Sequence, residues 1–246
     1  MESRKPSLFG QMIALGDFLS NFVASFPHPV HIKDAKTGKY IFSNQATAEI
    51  YGLKSADELI GLTEYELTYF QSRWGAAYAK VAAKLDRQAK TNKQFVQNKC
   101  VILTSAGFIR VQEMVKIPVL GVTRKVNAVF TYSYDLTPEV DLFSLFKLYK
   151  RHYPKKQAIK AFLKYLNIAK FFIKDPTETE MLMLLAMRSD DSQKYVASLL
   201  DIGAKTVETH RSHLRRKLKD ANFHKLLVCM RSELPGYGFP DRSPVP

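Results

Sequence analysis

Ala204-Lys205-Thr206-Val207-Glu208-Thr209-His210-Arg211-Ser212-His213-Leu214-Arg215-Arg216-Lys217-Leu218-Lys219 is a sixteen-residue run rich in basic and polar side chains. It holds no Gly and no Pro, and it projects cleanly at about 100° per residue. Val207, His210, Leu214 and Leu218 fall within one arc of about 80°. Lys205, Glu208, Ser212, Arg215, Arg216 and Lys219 gather opposite, with Arg211 at the edge. An apolar back anchors such a helix in a core while its basic, hydrogen-bonding front enters a major groove. A solvated amphipathic helix projects in the same way, so the neighbours must decide.

Upstream, Thr177–Met187 is predicted as a core helix through Met181, Leu182, Leu184 and Leu185. Ser192–Leu200 is predicted as a second, with Val196, Ala197 and Leu200 inward. Asp201-Ile202-Gly203 is a tight turn, and Phe223–Arg231 is a fourth helix. Two short helices joined by a Gly-containing turn have the shape of a helix-turn-helix. Pro176-Thr177-x-Thr179-Glu180, Ser192-Gln193-Lys194-Tyr195-Val196-Ala197, Leu200-x-Ile202, Thr206-Val207-Glu208-Thr209-His210 and Lys217-Leu218 together resemble the LuxR-type helix-turn-helix of bacterial transcription regulators. The order and spacing match over the whole domain. Pro176 stands where that family has Leu, and Thr179 where it has Arg. Asp190-Asp191 replace a usual Gly, and Lys219 a frequent one.

The resemblance implies a DNA-reading face. Glu208, Thr209 and Ser212 are expected at the bases, with Thr206 counted on the same face. Lys205, Arg211, Arg215, Arg216 and Lys217 are expected to hold phosphates or guanines. It also implies paired sites and a homodimer, with Leu226, Leu227 and Met230 as the apolar strip of the last helix. The same three residues suit an intramolecular core, and that alternative stays open.

Charge agrees with a polyanionic partner. The chain has 246 residues, 37 Lys plus Arg against 23 Asp plus Glu, and a net charge of +14. Such basicity points to nucleic acid or an anionic membrane surface. From Leu142 to Lys174 there are nine basic residues and no acid, with Phe143, Phe146, Tyr149, Tyr153, Phe162, Tyr165, Phe171 and Phe172 interleaved. This reads as a basic helical linker over 138–175, its lysines outward, facing either solvent or phosphates.

The first half changes period. Residues 7–24 read as a helix from the seam Leu8, Met12, Leu15, Leu19 and Phe22. Val30–Lys33 and Tyr40–Ser43 are short strands around a turn at Asp34–Gly38. Gln45–Tyr51 is a helix closed by Gly52, and Ser55 with Glu58 has the spacing of a capping box. A long helix over 68–90 precedes three strands, Phe95–Thr104, Phe108–Pro118 and Lys125–Tyr134, with turns at Gly107 and Gly121. The pattern is α+β: one antiparallel sheet with helices on one face. His31-Ile32-Lys33-Asp34, Gly38-Lys39-Tyr40-Ile41-Phe42-Ser43-Asn44, Ala46–Gly52, Glu58-Leu59-Ile60-Gly61 and a closing Asp135-Leu136-Thr137 resemble a PAS domain. That implies a sensor of small molecules, cofactors or redox state, or a dimerisation module. Thr137 is expected to cap a helix starting at Pro138.

The expected order is an N-terminal helix (1–25), a PAS-like α+β domain (26–137), the basic linker, an all-α helix-turn-helix domain (176–234) and a C-terminal tail (235–246). Other chemistries lack their residues. Cys100 and Cys229 have no CxxC companion, which argues against a disulfide framework and a structural zinc site. His210 and His213 lie three apart, with His224 further on, and no carboxylate or cysteine is expected to complete a metal set. Haem lacks a His on the 68–90 helix, and a flavin-reactive Cys is wanting because Cys100 falls in a strand. The cofactor therefore stays unknown, with a small-molecule ligand left open. No phosphate loop or nucleophile signature occurs, so the chain does not read as an enzyme. With no apolar run long enough to span a bilayer and no export signal, it reads as cytoplasmic. The expected function is a sequence-specific transcriptional regulator that binds double-stranded DNA. The alternative is a PAS-bearing interaction protein whose basic tail meets an anionic membrane or an acidic partner.

Overall fold

A computed structural model describes residues 20–68, 72–219 and 223–232. The chain divides into two compact units, Met1–Leu136 and Thr137–Pro246.

The first unit is built on five strands: β1 (Val30–Asp34), β2 (Tyr40–Ser43), β3 (Val96–Leu103), β4 (Ile109–Leu120) and β5 (Val126–Asp135). Their order is β2-β1-β5-β4-β3, with every neighbouring pair antiparallel. Between β2 and β3 lie α1 (Gln45–Tyr51), a 3-10 turn (Ala56–Leu59), α2 (Glu64–Thr68) and α3 (Ser72–Asn92). Local chemistry sets these bounds. The Asn44 side chain accepts from Thr47 N to open α1, and Gly52 closes it at φ 74°. A Cβ on Gly52 would also lie 2.7 Å from the Ser105 side chain, so both backbone and neighbour demand glycine. Ser55 and Glu58 form the capping box of the 3-10 turn.

Alternation sorts the sheet into two faces. On the inner face α3 packs Tyr78 and Leu85 against Ile102, Met114 and Ile50 of α1. The outer face is also covered in part, which corrects the expectation of helices on one side only. Residues 20–25 are helical, and Val23 packs on Val30, Ile32 and Ala128, with Phe26, Phe130 and Tyr132 around them. The rest of the helix expected over 7–24, and the tail from 235, lie outside the described residues.

The second unit is helical: α4 (Leu142–His152), α5 (Lys155–Tyr165), α6 (Glu178–Ser189), α7 (Gln193–Leu200), α8 (Ala204–Lys217) and α9 (Phe223–Ser232). Thr137 does not cap a long helix. It begins a 3-10 turn, and the cap of α4 is Asp141, whose carboxylate accepts from Ser144 N at 2.9 Å. The basic stretch expected as a linker is a packed hairpin of α4 and α5. Phe146, Tyr149 and Phe162 are fully buried, with ring centroids 5.0 Å apart for Phe146–Phe162 and 5.1 Å for Tyr149–Phe162. Burying aromatics of this size stabilises the hairpin by roughly 2 kcal/mol apiece, more than a solvated linker could recover. Lys150 of α4 pairs with Glu178 of α6 at 2.5 Å, joining the hairpin to the first helix of the helix-turn-helix domain.

Candidate functional site

The helix-turn-helix is set by its caps. Thr177 opens α6 with a reciprocal capping box: its hydroxyl accepts from Glu180 N, and the Glu180 carboxylate accepts from Thr177 N at 2.6 Å. Ser192 caps α7 by accepting from Tyr195 N. The turn into α8 is made by Asp201 at φ 52°, while Gly203 has ordinary φ and serves as N-cap. Asp tolerates the left-handed region better than most residues because its short polar side chain can hydrogen-bond to nearby backbone. Gln193 Nε2 donates to Ala204 O at 2.6 Å and fixes the angle between α7 and α8.

Val207, Leu214 and Leu218 are buried beneath α8. Lys205, Thr206, Glu208, Thr209, Ser212, Arg215 and Arg216 are exposed on its outside. No acid other than Glu208 interrupts that row, and Arg215 and Arg216 place two cations at its end. Two expected members differ. Lys217 is held inward, its ammonium 2.6 Å from Glu180 Oε2 and its side chain only 17% exposed. Burial acts to raise the Glu180 pKa, but Lys217 and the Thr177 bonds outweigh it and keep the carboxylate below its usual range. Arg211 is half-buried: it donates to Asp191 O at 2.6 Å and lies 5.9 Å over the Phe223 ring. Both cations hold the domain together, so neither stands free on the outer row.

Leu226, Leu227 and Met230 are buried within their own unit. The expectation that they form a dimer strip is corrected: area already taken by the core cannot cover a second copy. The end of α9 is tied to α6, with Arg188 Nε donating to Met230 O and Arg231 Nη2 to Met187 O.

A carboxylate does approach the histidine pair. Ligating atoms of Glu180, His210 and His213 lie within 4.8 Å of one another. Sequence distance hid this approach, since Glu180 belongs to another helix. The Lys217 ammonium and the Thr177 N–H already share that carboxylate, and the positive charge opposes a metal cation there.

Comparison with known proteins names these two units. Residues 177–230 match the bacterial regulatory proteins of the luxR family. The C-terminal domain is LuxR-type. Residues 23–141 match the PAS fold. The chain thus carries a LuxR-type DNA-binding helix-turn-helix behind a PAS domain, and it is a transcription regulator of that build. Among solved structures it is similar to the Vibrio cholera VqmA–ligand–DNA complex, with 20% identity, 90% of each chain covered and a TM-score of 0.45. It is also similar to the phage VqmA–DPO complex, with 21% identity, 95% of this chain and 96% of that one covered, and a TM-score of 0.44. The PAS domain from Bordetella pertussis BvgS matches at 17% identity over 56% of this chain and 96% of that one, with a TM-score of 0.44. No curated protein matches. No helix among the described residues is long and apolar enough to cross a membrane.

The PAS interior holds an ionic centre that the alternating pattern of its strands concealed. Lys33 of β1 pairs with Glu64 of α2 at 2.5 Å and with Asp86 of α3 at 3.6 Å. Asp86 in turn holds Lys116 of β4 at 2.5 Å. Tyr40 OH donates to Glu64 at 2.8 Å, and Tyr51 OH donates to its other oxygen. Burial alone would raise the Glu64 pKa, yet Lys33, His31 and these bonds bring it down to about 2. The Lys116 pKa is lowered too, because burial and the Lys33 charge outweigh Asp86. Burial and the two lysine charges hold the His31 pKa well below its usual value. His31 Nε2 and Gln112 Oε1 are buried without a hydrogen-bond partner. Gln112 Nε2 meanwhile donates to Tyr78 OH at 3.2 Å.

Proposed function

We propose that α8 of the LuxR-type domain lies in the major groove and reads bases with Glu208, Thr209 and Ser212. Lys205, Thr206, Arg215 and Arg216 hold the flanking backbone or guanines. The observation that carries this reading is the exposed row on α8 above a buried Val207–Leu214–Leu218 back. A helix so anchored presents seven polar side chains on one rigid element, as direct readout requires.

The PAS domain takes a small polar molecule against its inner face, where buried His31 Nε2 and Gln112 Oε1 await partners. The chain works in the cytoplasm as a homodimer and performs no catalysis. The outer sheet face offers the area for the second copy: Phe95, Ile117 and Val119 are exposed beside a groove of about 440 Å³ lined by Val115 and Tyr132.

Titration of labelled duplexes at several salt concentrations tests the DNA face. Glu208→Ala is expected to narrow the affinity gap between preferred and scrambled sequences. Arg215→Ala is expected to weaken both alike and flatten the salt slope by about one. Unchanged affinity in both variants would remove α8 from the groove.

A further inference from the structure

We propose that Lys170, Lys174 and Lys219 form a phosphate-binding edge that carries the duplex contact beyond the helix-turn-helix. The proposal rests on the DNA-binding reading of α8. Its basis is a join that reaches outside the family match. Just upstream of α6 the chain runs beside the end of the recognition helix as a short antiparallel bridge, Phe172 opposite Leu218. Ile173 N donates to Lys217 O at 2.8 Å, and Lys219 N donates to Phe171 O at 2.9 Å. Phe172 and Leu218 are both buried, so the two strands are fixed and not merely adjacent.

This join puts cations from two distant parts of the sequence on one border. Arg215 and Arg216 end the outer row of α8, and Lys219 comes directly after the helix. Lys170 and Lys174 flank the bridging residues on the other strand. All three lysines are exposed, and Lys170 Nζ sits 5.6 Å over the Phe171 ring, which steadies its stem. Of the described acids nearby, Asp175 faces Lys160 at 3.9 Å, and Glu178 holds Lys150 at 2.5 Å. Among the described residues no carboxylate lies within ion-pair distance of Lys170, Lys174 or Lys219. A border of unneutralised cations continuous with a DNA-reading helix fits a sugar–phosphate backbone, which accepts charge without regard to sequence.

Fluorescence anisotropy with a random-sequence duplex of about 30 base pairs, from about 50 to 300 mM KCl, reads the edge directly, because phosphate contacts act on any sequence. The triple variant Lys170→Gln, Lys174→Gln, Lys219→Gln is expected to flatten the log affinity–log salt slope by about 2 to 3, near 0.9 for each phosphate no longer neutralised. The corresponding Lys→Arg triple is expected to retain the wild-type slope. Thermal melting by circular dichroism checks that each variant is folded. A matched triple on the hairpin, Lys147→Gln, Arg151→Gln, Lys156→Gln, removes equal charge from exposed positions outside the edge. An unchanged slope in the first triple, or equal flattening in the matched one, overturns the edge. Failure of the wild-type chain to bind any duplex overturns the DNA reading itself, and the edge with it.

Discussion

Replacing Glu64 by Gln is the sharpest perturbation of the PAS interior. The amide keeps the size of the carboxylate but has one accepting oxygen where Glu64 uses two, so it removes the charge and accepts from only one of Tyr40 and Tyr51. Lys33, 3% exposed at its side chain, then keeps only Asp86, at 3.6 Å. The Glu64 pKa falls from 4.5 to about 2 in the folded state. At about 1.4 kcal/mol for each pH unit, that difference contributes about 3 kcal/mol of folding stability. Because the folded value is the lower one, the contribution is complete above pH 4.5 and is lost as pH falls towards 2. Hydrogen exchange of peptides covering β1 and β5, followed through urea, reports this unit separately from the helical one. The variant is expected to lie about 3 kcal/mol below the wild type at pH 7, with the two curves converging near pH 2. A deficit under about 1 kcal/mol at pH 7, or curves that stay parallel through the acid range, would show that Glu64 is not held as a buried anion.

Two other substitutions separate holding from binding. Lys217→Met removes the partner of Glu180, and unfolding titrations should show the helical unit weakened by about 1 to 3 kcal/mol. The salt slope of duplex binding should stay unchanged, whereas a phosphate contact would flatten it by about one. Placing Asp at both Ile117 and Val119 charges the outer sheet face, and light scattering should then give the mass of one chain where the wild type gives two.

Local rules carried much of the fold. The turn at Asp34–Gly38, the Gly52 cap and the Ser55–Glu58 box each rest on residues a few positions apart, and the structure has them in place. The same holds for Thr177 with Glu180 at the head of α6. What escaped was long-range. No residue close in sequence announces that Glu64 and Asp86 will meet Lys33 and Lys116. Glu64–Thr68 has too short a pattern to signal a helix. At Lys217 and Arg211 a helical projection marks an angle on a wheel, but it cannot foresee that Glu180 or Asp191 draws the side chain inward. The aromatic positions of the basic stretch were visible as such, yet only their partners across the α4–α5 hairpin turn a connector into a core.

The pairing of Phe172 with Leu218 has a practical consequence for anyone dissecting this regulator. The family match begins at Thr177, which invites a fragment cut at that point. Such a fragment would strip Leu218 of its cover and leave the carbonyl of Lys217 without the amide of Ile173. A fragment that keeps this join together with the α4–α5 hairpin starts near Asp141, and one cut at Thr177 is expected to fray where its reading helix ends.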